Sequence, residues 1–403
     1  MLSYEEALDI ILRTLAPLPA EDIALPEALG RALAEAVPSR WDMPPADNSA
    51  MDGFAFAAAG LAPQGRLKVA GLSRAGAGFP GPVLPGEAVK IMTGAPLPEG
   101  CDTVVPIEVV EEVAGVIEFR SSVPNGDHVR YQGEEFRQGE TLLGAGTTLR
   151  AGEIGLLASA GVARVRVHRQ PRVALLTTGD ELVDIGVRPG PGQIVNSNRY
   201  LLTARLQEEG CTVWPLEIAG DQRSELTDRL AQGLQADVLI TTGGVSMGDY
   251  DLVQSCLKDL GFELGFWKVA IKPGKPVLFG RVGDKPVFGL PGNPAAAAAT
   301  FQLFVRPALR RLCGYCDPLP PRSRATLTAP VSGGGNRRQF LWGAVVEEDG
   351  RYLFTPSGKQ GSGQTRSLQG AQALLPVAAG SGDLAAGQEV EIMLIYLPGG
   401  AAS

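Results

Sequence analysis

Between residues 171 and 312, short apolar runs alternate with amphipathic stretches. The apolar runs predict strands at 172–178, 211–219, 236–242 and 285–290. The amphipathic stretches predict helices near 197–209, 222–235, 250–260 and 294–312. Asn293 followed by Pro294 is typical of a helix start. This alternation predicts an α/β fold with a parallel sheet covered by helices on both faces.

The first 40 residues predict two helices. In the first, Leu8, Ile11, Leu12 and Leu15 fall on one helical face, and Ser3 and Glu6 have capping-box spacing. The segment "LPEALGRALAEAV" predicts the second helix, and residues 138–168 return to a short strand and helix pattern. We therefore expect 1–40 and 138–170 to form a discontinuous, largely helical N-terminal domain.

Two further regions have the alternation of β structure. Residues 41–137 are rich in Gly, Pro and Val and predict a β-rich module inserted into the N-terminal domain. Residues 317–403 contain period-two segments and a tight-turn signal at Asp349-Gly350. The chain is thus predicted to be an α/β multi-domain protein, with the α/β domain at 171–316 and a small β domain at 317–403.

Composition and charge narrow the functional classes. The 52 glycines and 31 prolines do not suit a helical bundle, and a net charge of −8 with scattered Lys and Arg argues against nucleic-acid binding. The longest nearly apolar run, 294–305, is shorter than the roughly 20 residues that span a bilayer. The acidic, amphipathic N-terminus does not resemble a signal peptide. We expect a cytoplasmic protein with no membrane segment.

The five cysteines are an odd number, which fits a reducing compartment. Cys313 and Cys316 form a C-x-x-C motif, but they follow a predicted helix, whereas a thioredoxin-type pair precedes one. A zinc site would need two further ligands, and His128 and His168 are the only histidines. Packing at the helix end is the favoured interpretation.

Three predicted strands end in glycine-containing loops. These loops are "TTGDEL" after 172–178, "TTGGVSMGDYD" after 236–242 and "LPGNP" after 285–290. The carboxyl ends of parallel strands share one edge of a sheet, where ligands bind in open α/β folds. Each loop alone could be a simple turn, and Asp180, Glu181, Asp249 and Asp251 could be helix N-terminal acids. A magnesium site would use such carboxylates, with Asp221 as a further candidate.

Three lysines stand out in "FWKVAIKPGKPVLFG": Lys268, Lys272 and Lys275. A buried lysine is costly unless it is paired or faces a ligand, so this segment predicts either an anion pocket or a solvated edge strand. In the inserted module, Asp47, Asn48, Ser49 and Asp52 fall in one loop, and Thr93 follows in "KIMTGAPLPEG". These polar side chains could belong to a functional site, or they could only stabilise turns by bonding to nearby backbone groups.

These segments resemble one family, the molybdopterin molybdenumtransferases, which include MoeA and the E domains of plant and animal molybdenum-cofactor proteins such as gephyrin. The matching segments are "EALGRALAEAV", "DNSAMDGFA", "VKIMTGAPLPEGCDTVVP", "LLTTGDEL", "VNSNRYLL", "TTGGVSMGDYD", "KVAIKPGKPVLFG" and "LPGNPAA". The resemblance implies four domains: an elongated N-terminal domain, the insert, a doubly wound MogA-like domain and a C-terminal β-barrel.

The resemblance also implies an activity. Family members insert molybdenum from molybdate into adenylylated molybdopterin with Mg²⁺ and release AMP. They are homodimers whose active site is shared between subunits. Molybdopterin adenylyltransferase and other proteins of the cofactor pathway are then expected as possible partners.

Carried over by motif, the resemblance assigns site residues. The implied catalytic residues are Asp52, Thr93, Glu181, Lys268, Lys272 and Lys275. Asp52 and Thr93 would reach across the dimer interface, and the three lysines would bind anionic oxygens. The predicted magnesium ligands are Glu181, Asp221 and Asp251, and the predicted substrate-binding residues are Gly243, Gly244, Ser246, Asp251, Pro291, Pro294, Arg338, Ser362 and Ser367. Electrostatic positioning would be the main contribution of the protein, and no side-chain nucleophile is required.

Three positions depart from the family pattern. Glu135 stands where an aspartate is usual, and Trp342 stands where an arginine is expected, which leaves Arg337 or Arg338 as substitutes. The serine-rich loop appears as "GSGQTRSL", so Ser362 and Ser367 are both candidates for molybdate contact.

Three alternative functions would use part of the same pattern. Molybdopterin adenylyltransferases share the 171–312 core but would lack the four-domain layout and Asp52. Nicotinamide-nucleotide amidohydrolases should lack "SAMDG". A dimeric interaction scaffold of the gephyrin E-domain type would have no need of the acidic and lysine positions, so catalysis is favoured.

Overall fold

The computed structural model describes residues 1–61, 65–120, 123–244 and 252–397. The chain divides into two compact units. The first unit comprises Met1–Glu21 and His168–Ser403, and the second comprises Asp22–Val167. Residues 1–21 therefore group with the C-terminal part of the chain rather than with residues 22–40.

The N-terminal helix α1 (Tyr4–Thr14) forms where its apolar periodicity predicts it. The Ser3 hydroxyl accepts the Glu6 N–H at 3.1 Å, and the Glu6 carboxylate accepts the Ser3 N–H at 2.7 Å, so the predicted capping box is confirmed. The apolar face of α1 packs into the core of the first unit, where the Tyr4 ring lies 5.7 Å from Phe304 and 5.3 Å from Phe340. This packing explains why α1 belongs to the first unit.

The second unit is mostly β structure, as predicted for residues 41–137. The elements of residues 20–168 are β1 (Ala20–Ala24), β2 (Val37–Pro38), β3 (Asn48–Ser49), β4 (Gly53–Phe56), β5 (Arg66–Ser73), β6 (Glu87–Ile91), β7 (Thr103–Pro106), β8 (Val110–Val113), β9 (Val116–Phe119), β10 (Val129–Arg130), β11 (Thr141–Leu143), α2 (Ala151–Ser159) and β12 (Arg164–His168). Six of these strands form one mixed sheet in the order β7-β4-β6-β5-β9-β8.

The second helix predicted within residues 1–40 is wrong. That segment holds only a 3-10 turn at Leu25–Glu27, followed by isolated bridges from Ala32 and Leu33. Gly30 adopts a φ of 77°, which ends helical geometry, and its N–H donates to Leu149 instead. Backbone partners elsewhere in the same chain thus replace the intrahelical hydrogen bonds that the sequence pattern predicted.

The first unit contains the predicted doubly wound sheet. Its strand order is β16-β13-β17-β21-β20-β18; the first four strands pair in parallel, and β20 runs antiparallel to both of its neighbours, β21 and β18. Its elements are β13 (Arg172–Thr177), β14 (Leu182–Val183), β15 (Ile194–Val195), α3 (Ser197–Glu208), β16 (Thr212–Pro215), α4 (Arg223–Gly233), β17 (Val238–Thr242), α5 (Leu252–Asp259), β18 (Phe262–Trp267), β19 (Ile271–Lys272), β20 (Leu278–Val282), β21 (Lys285–Leu290), α6 (Pro294–Thr300) and α7 (Arg306–Leu312).

Helices cover both faces of this sheet. Side chains of α3, α6 and α7 contribute to the hydrophobic core on one face, and side chains of α4 and α5 contribute to the core on the other. A π-helical segment, Phe301–Val305, joins α6 to α7, so the predicted helix at 294–312 is continuous. The predicted strand at 211–219 is shorter than expected, because regular pairing ends at Pro215.

The C-terminal region closes into a five-stranded barrel, as predicted. The strands are β22 (Arg322–Leu327), β23 (Arg338–Glu348), β24 (Arg351–Pro356), β25 (Ala373–Val377) and β26 (Glu389–Leu394). The order β23-β24-β22-β26-β25 closes through pairing of β25 with β23. Asp349 (φ 50°) and Gly350 (φ 72°) form the predicted hairpin turn between β23 and β24.

Candidate functional site

The first unit contains a cavity of about 660 Å³ at the carboxyl edge of its sheet. The ends of β13, β17 and β21 all contribute to its lining, which confirms the expected convergence of the three strand-end loops. Contributing segments also come from the start of α3 and from the C-terminal region. Among the predicted site residues, those that line the cavity are Glu181, Gly243, Gly244, Pro291 and Pro294.

The glycine turn after β17 is packed too tightly for other residues. A Cβ on Gly243 would lie 2.4 Å from the carbonyl oxygen of Thr178, and one on Gly244 would lie 2.5 Å from a methyl of Val253. Both glycines have positive φ, 91° and 66°. Close packing and backbone conformation therefore both require glycine here. Ser246, Asp249 and Asp251, which follow this turn, lie outside the described residues.

A buried amide network joins the walls of the cavity. Asn198 Nδ2 donates to Thr242 Oγ1 (2.9 Å) and to the Gly292 carbonyl (2.7 Å), while Thr242 Oγ1 donates to the Pro291 carbonyl (3.1 Å). Asn196 caps α3 and donates to Thr177 Oγ1 at 2.8 Å. The motif "VNSNRYLL" contains these asparagines, but no sequence pattern predicts that their side chains bond across loops.

Three carboxylates lie close together, and one of them lines the cavity. The Asp221 N–H donates to Asp180 Oδ1 at 3.0 Å, and Glu181 lines the cavity wall. Partial burial, together with the negative charges of Asp180 and Glu181, raises the pKa of Asp221 above its ordinary value. This excess of negative charge is the kind that a divalent cation relieves.

The described residues do not contain a group of three His, Cys, Asp or Glu side chains arranged to hold a metal ion. The predicted third ligand, Asp251, lies outside those residues, so the magnesium set Glu181, Asp221 and Asp251 stays a prediction. At the C-x-x-C motif, Cys313 is buried and Cys316 is exposed.

The three predicted lysines are not lining residues of the cavity. Lys268 and Lys275 are half-buried, whereas Lys272 is exposed on the short strand β19, which pairs with β23. Pro276, the neighbour of Lys275, lines the cavity. Within the described part of the chain, none of the three lysines has a carboxylate ion-pair partner, so their charges are available to an anion.

Lys268 has an unusual backbone. Its φ is 71°, and its Nζ lies 3.5 Å from the centre of the Trp267 ring. Positive φ at a long side chain carries strain, which is frequent at functional positions. The cation–π contact stabilises the charged side chain without neutralising it.

The C-terminal candidates have different environments. Ser362 Oγ accepts a hydrogen bond from Asn293 Nδ2 at 3.1 Å, and its carbonyl accepts the N–H groups of Ala295 (2.9 Å) and Ala296 (3.3 Å). Ser367 is 1% exposed and donates to the Gln364 carbonyl, so its hydroxyl serves the loop itself. Gly363 and Thr365 also line the cavity and were not predicted.

Asn293 occupies the predicted N-cap position of α6, but its side chain makes no capping bond. The Ser362 carbonyl takes over that role, because it accepts the first helical N–H groups. The cap thus comes from the C-terminal region.

The arginine candidates are occupied elsewhere. Arg338 pairs with Glu5 of α1 and does not line the cavity, and Arg337 donates to the Ile271 carbonyl at 3.1 Å. Trp342 is 1% exposed and belongs to the hydrophobic core. In this chain the position of the expected arginine therefore serves packing.

In the second unit, the structure brings Asp52 and Thr93 together. The Thr93 N–H and hydroxyl both donate to Asp52 Oδ1, at 2.6 and 2.8 Å. The N–H bond is the main cause, and the hydroxyl bond the second, of a lowered pKa for Asp52. Both residues are exposed, so Asp52 is a charged carboxylate at the surface.

The neighbouring polar residues bond to backbone groups. Asp47 Oδ1 accepts the Gln132 N–H at 2.7 Å, and Ser49 Oγ donates to the Met51 carbonyl at 2.6 Å. Glu135 is exposed, and its N–H donates to the Met43 carbonyl. The turn-stabilising interpretation therefore holds for Ser49, whereas Asp47 and Asp52 both bond to residues that are distant in the sequence.

Three family models match the chain in sequence order. They are the MoeA N-terminal region (domain I and II) at residues 2–161, the probable molybdopterin binding domain at 174–311 and the MoeA C-terminal region (domain IV) at 324–395. The molybdopterin molybdenumtransferase of Haemophilus influenzae is 36% identical and aligns over 97% of this chain and 98% of its own. The chain belongs to the MoeA family of molybdopterin molybdenumtransferases.

Other MoeA family members support the assignment. The molybdopterin molybdenumtransferase of Staphylococcus aureus strain COL is 33% identical over 98% of this chain and 95% of its own. The crystal structure of a molybdopterin biosynthesis MoeA protein from Pyrococcus horikoshii OT3 is 28% identical, covers 98% of this chain and 100% of its own, and has a TM-score of 0.85. Similarity thus extends through both units.

Proposed function

We propose that this MoeA family member is a transferase that inserts molybdenum from molybdate into adenylylated molybdopterin and releases AMP. The observation that carries the proposal is that similarity to molybdopterin molybdenumtransferases spans both units, including the segment with Asp52 and Thr93. A molybdopterin adenylyltransferase would need only the α/β domain. The cavity at the sheet edge would hold the substrate.

The chemistry is ligand exchange at molybdenum coupled to cleavage of a phosphoanhydride. In the proposed mechanism, the cavity wall orients the substrate, and Lys268, Lys272 and Lys275 bind oxygens of the phosphates and molybdate. Glu181, Asp221 and Asp251 would hold Mg²⁺, which would supply neutralisation of phosphate charge when bound. Asp52, held ionised by Thr93, would accept a proton or a hydrogen bond from the reacting groups.

The proposal includes a homodimer in which the active site is shared between subunits, because Asp52 and Thr93 are exposed on the second unit. It also includes a cytoplasmic location, with molybdopterin adenylyltransferase and other cofactor-pathway proteins as possible partners. No helix among the described residues has the length and apolar character needed to cross a membrane. Neither a membrane nor a nucleic acid is part of the proposed activity.

The test supplies the full-length protein with adenylylated molybdopterin, molybdate and Mg²⁺, and measures AMP release together with pterin-bound molybdenum. We expect both products, and neither when molybdate is omitted. Glu181→Gln should lose most of the activity, whereas Glu263→Gln, an exposed carboxylate paired with Arg281 on β18 and β20, should not. Absence of molybdenum incorporation by the unmodified protein would refute the proposal, and ATP-dependent adenylylation of molybdopterin would favour the adenylyltransferase alternative.

A further inference from the structure

The side chain of Asn198 connects three segments of the cavity wall. It lies in the first turn of α3 and is 8% exposed. One amide group bonds to Thr242 at the end of β17 and to the Gly292 carbonyl in the loop after β21. Both amide protons therefore donate to backbone or side-chain groups of the cavity wall, rather than to groups within α3.

Thr242 extends this connection. Its hydroxyl accepts from Asn198 and donates to the Pro291 carbonyl at 3.1 Å, so the chain of bonds runs from α3 through β17 to the Pro291 loop. The hydroxyl has one proton, and that proton can reach only one acceptor at a time. Because Asn198 Nδ2 is a donor, it leaves the Thr242 proton for Pro291 and fixes the direction of the network.

The oxygen of the Asn198 amide is separate from this network. Asn198 Oδ1 is buried and has no hydrogen-bond partner within the described residues. Such groups are few in folded proteins. The donor side of the amide therefore holds the two loops, and its oxygen takes no part in the connection.

We propose that Asn198 is a positioning residue that, through Thr242, sets the separation between the glycine turn 242–244 and the Pro291–Pro294 loop, and thereby the fit of the substrate in the cavity. This inference rests on the proposed function. Asn198 and Thr242 line the cavity themselves, and their hydrogen bonds also hold the lining residues Pro291 and Gly292. Its loss weakens substrate binding and leaves the chemical step largely unchanged.

Adjacent residues on β17 offer a matched test. Thr242 carries the network, whereas Thr241 is fully buried, does not line the cavity, and has a hydroxyl without a partner among the described residues. Replacing either threonine by valine preserves the shape of the side chain. Thr242→Val breaks the connection to Pro291, and Thr241→Val breaks no hydrogen bond that links the walls.

The experiment measures kcat and KM for adenylylated molybdopterin in the full-length protein. We expect Asn198→Ala and Thr242→Val each to raise KM about two- to tenfold, the range for loss of one buried neutral hydrogen bond, with kcat within about twofold. The double variant should be little worse than either single variant, because both act through one network. Thr242→Ser should retain the original KM, and Thr241→Val should leave both constants unchanged.

Three results would overturn the inference. The first is an unchanged KM in Thr242→Val, which keeps the side-chain shape and so tests the network even if Asn198→Ala fails to fold. The second is an equal rise in KM for Thr241→Val, and the third is full additivity in the double variant. No turnover by the unmodified protein would refute the proposed function as well, so the two failures are distinguishable.

Discussion

The two groups of predicted site residues are held in contrasting ways. In the first unit, the cavity wall consists of glycines packed against backbone and of buried polar side chains that bond from one loop to the next. In the second unit, Asp52 and Thr93 are both exposed and bond to each other. The wall is shaped by packing, whereas the Asp52 carboxylate depends on two local hydrogen bonds. Damage to the wall should therefore reduce stability and activity together, and damage at Asp52 should reduce activity alone.

The largest expected effect is on activity in Asp52→Ala. If Asp52 stabilises charge or moves a proton in the reaction, kcat/KM should fall by about 100-fold or more. The melting temperature should hardly change, because the carboxylate is exposed. Steady-state kinetics and thermal unfolding of the same preparation check both parts.

The control for this prediction is Glu118→Ala, which removes an exposed carboxylate of β9 that pairs with Arg66. It should retain full activity. Retained activity in Asp52→Ala would remove Asp52 from the site, and a large loss of stability would contradict the contrast between the two units.

Gly243→Ala should have the next largest effect, and it should be on stability. The new methyl group would lie 2.4 Å from the Thr178 carbonyl oxygen at a residue with a φ of 91°. We expect a loss of about 2–4 kcal/mol in the free energy of unfolding, with activity falling in parallel. Urea denaturation measures the change.

Gly261→Ala is the matched control, because Gly261 has a φ of 83° but nothing within 4 Å of its added Cβ. The free energy of unfolding should fall only by the cost of the left-handed conformation, about 1–2 kcal/mol. An equal loss of stability in Gly243→Ala and Gly261→Ala would show that close packing is not the reason for glycine at position 243.

Thr93→Val should have a smaller effect, on the acidity of Asp52. It removes the hydroxyl bond and leaves the N–H bond, so the lowered pKa of Asp52 should move part of the way back towards the ordinary carboxyl value. Carboxyl-carbon NMR titration measures this shift. In Thr93→Ser, the pKa of Asp52 should stay at its original value. An unchanged Asp52 pKa in Thr93→Val would show that the hydroxyl bond is not formed in solution.

The pH dependence follows from the direction of that shift. A carboxyl with a lowered pKa in the folded state contributes stability that is fully present above its ordinary pKa. The contribution is lost as the pH falls through the lowered value. In Thr93→Val this loss should occur at a higher pH than in the unmodified protein.

The smallest expected effect is on the pKa of Asp221. Asp180→Asn removes one of the negative charges that raise the pKa of Asp221, so that pKa should fall, while partial burial and Glu181 still hold it above the ordinary value. Added Mg²⁺ should lower it further if the proposed site forms. An Asp221 pKa that does not respond to Mg²⁺ would count against its role as a ligand.

The sign of this stability effect is opposite to that at Asp52. A carboxyl with a raised pKa in the folded state favours folding at low pH. Its contribution is lost as the pH rises through the ordinary value towards the raised one. Because the Asp221 side chain is exposed, solvent screening keeps the effect small.

Much of the architecture was readable from the sequence because its signals are local. Hydrophobic periodicity located α1 and the parallel strands, and Asp349-Gly350 predicted the hairpin turn. The second N-terminal helix was wrong because its apolar residues and one glycine serve contacts with distant strands. Amphipathic periodicity cannot separate a helix from a segment whose backbone bonds to remote neighbours.

Less of the site than of the fold could be predicted from the sequence. Strand-end loops must converge in a parallel sheet, so the cavity and Pro291 and Pro294 followed from topology together with the family resemblance. The Asn198–Thr242 network and the contributions of Gly363 and Thr365 depend on contacts between residues far apart in sequence. The sequence also could not show that Arg338 pairs with Glu5 or that Ser367 is buried.

The cap of α6 has a consequence for modular evolution. The first N–H groups of this helix bond to the Ser362 carbonyl, which comes from the barrel side of the first unit. An α/β domain separated from the barrel would therefore lose part of its own cavity rim and expose a helix terminus there. Any ancestor that carried the sheet without the barrel must have closed this terminus in another way. The barrel side of the chain therefore contributes to the cavity rim as well as to its own fold.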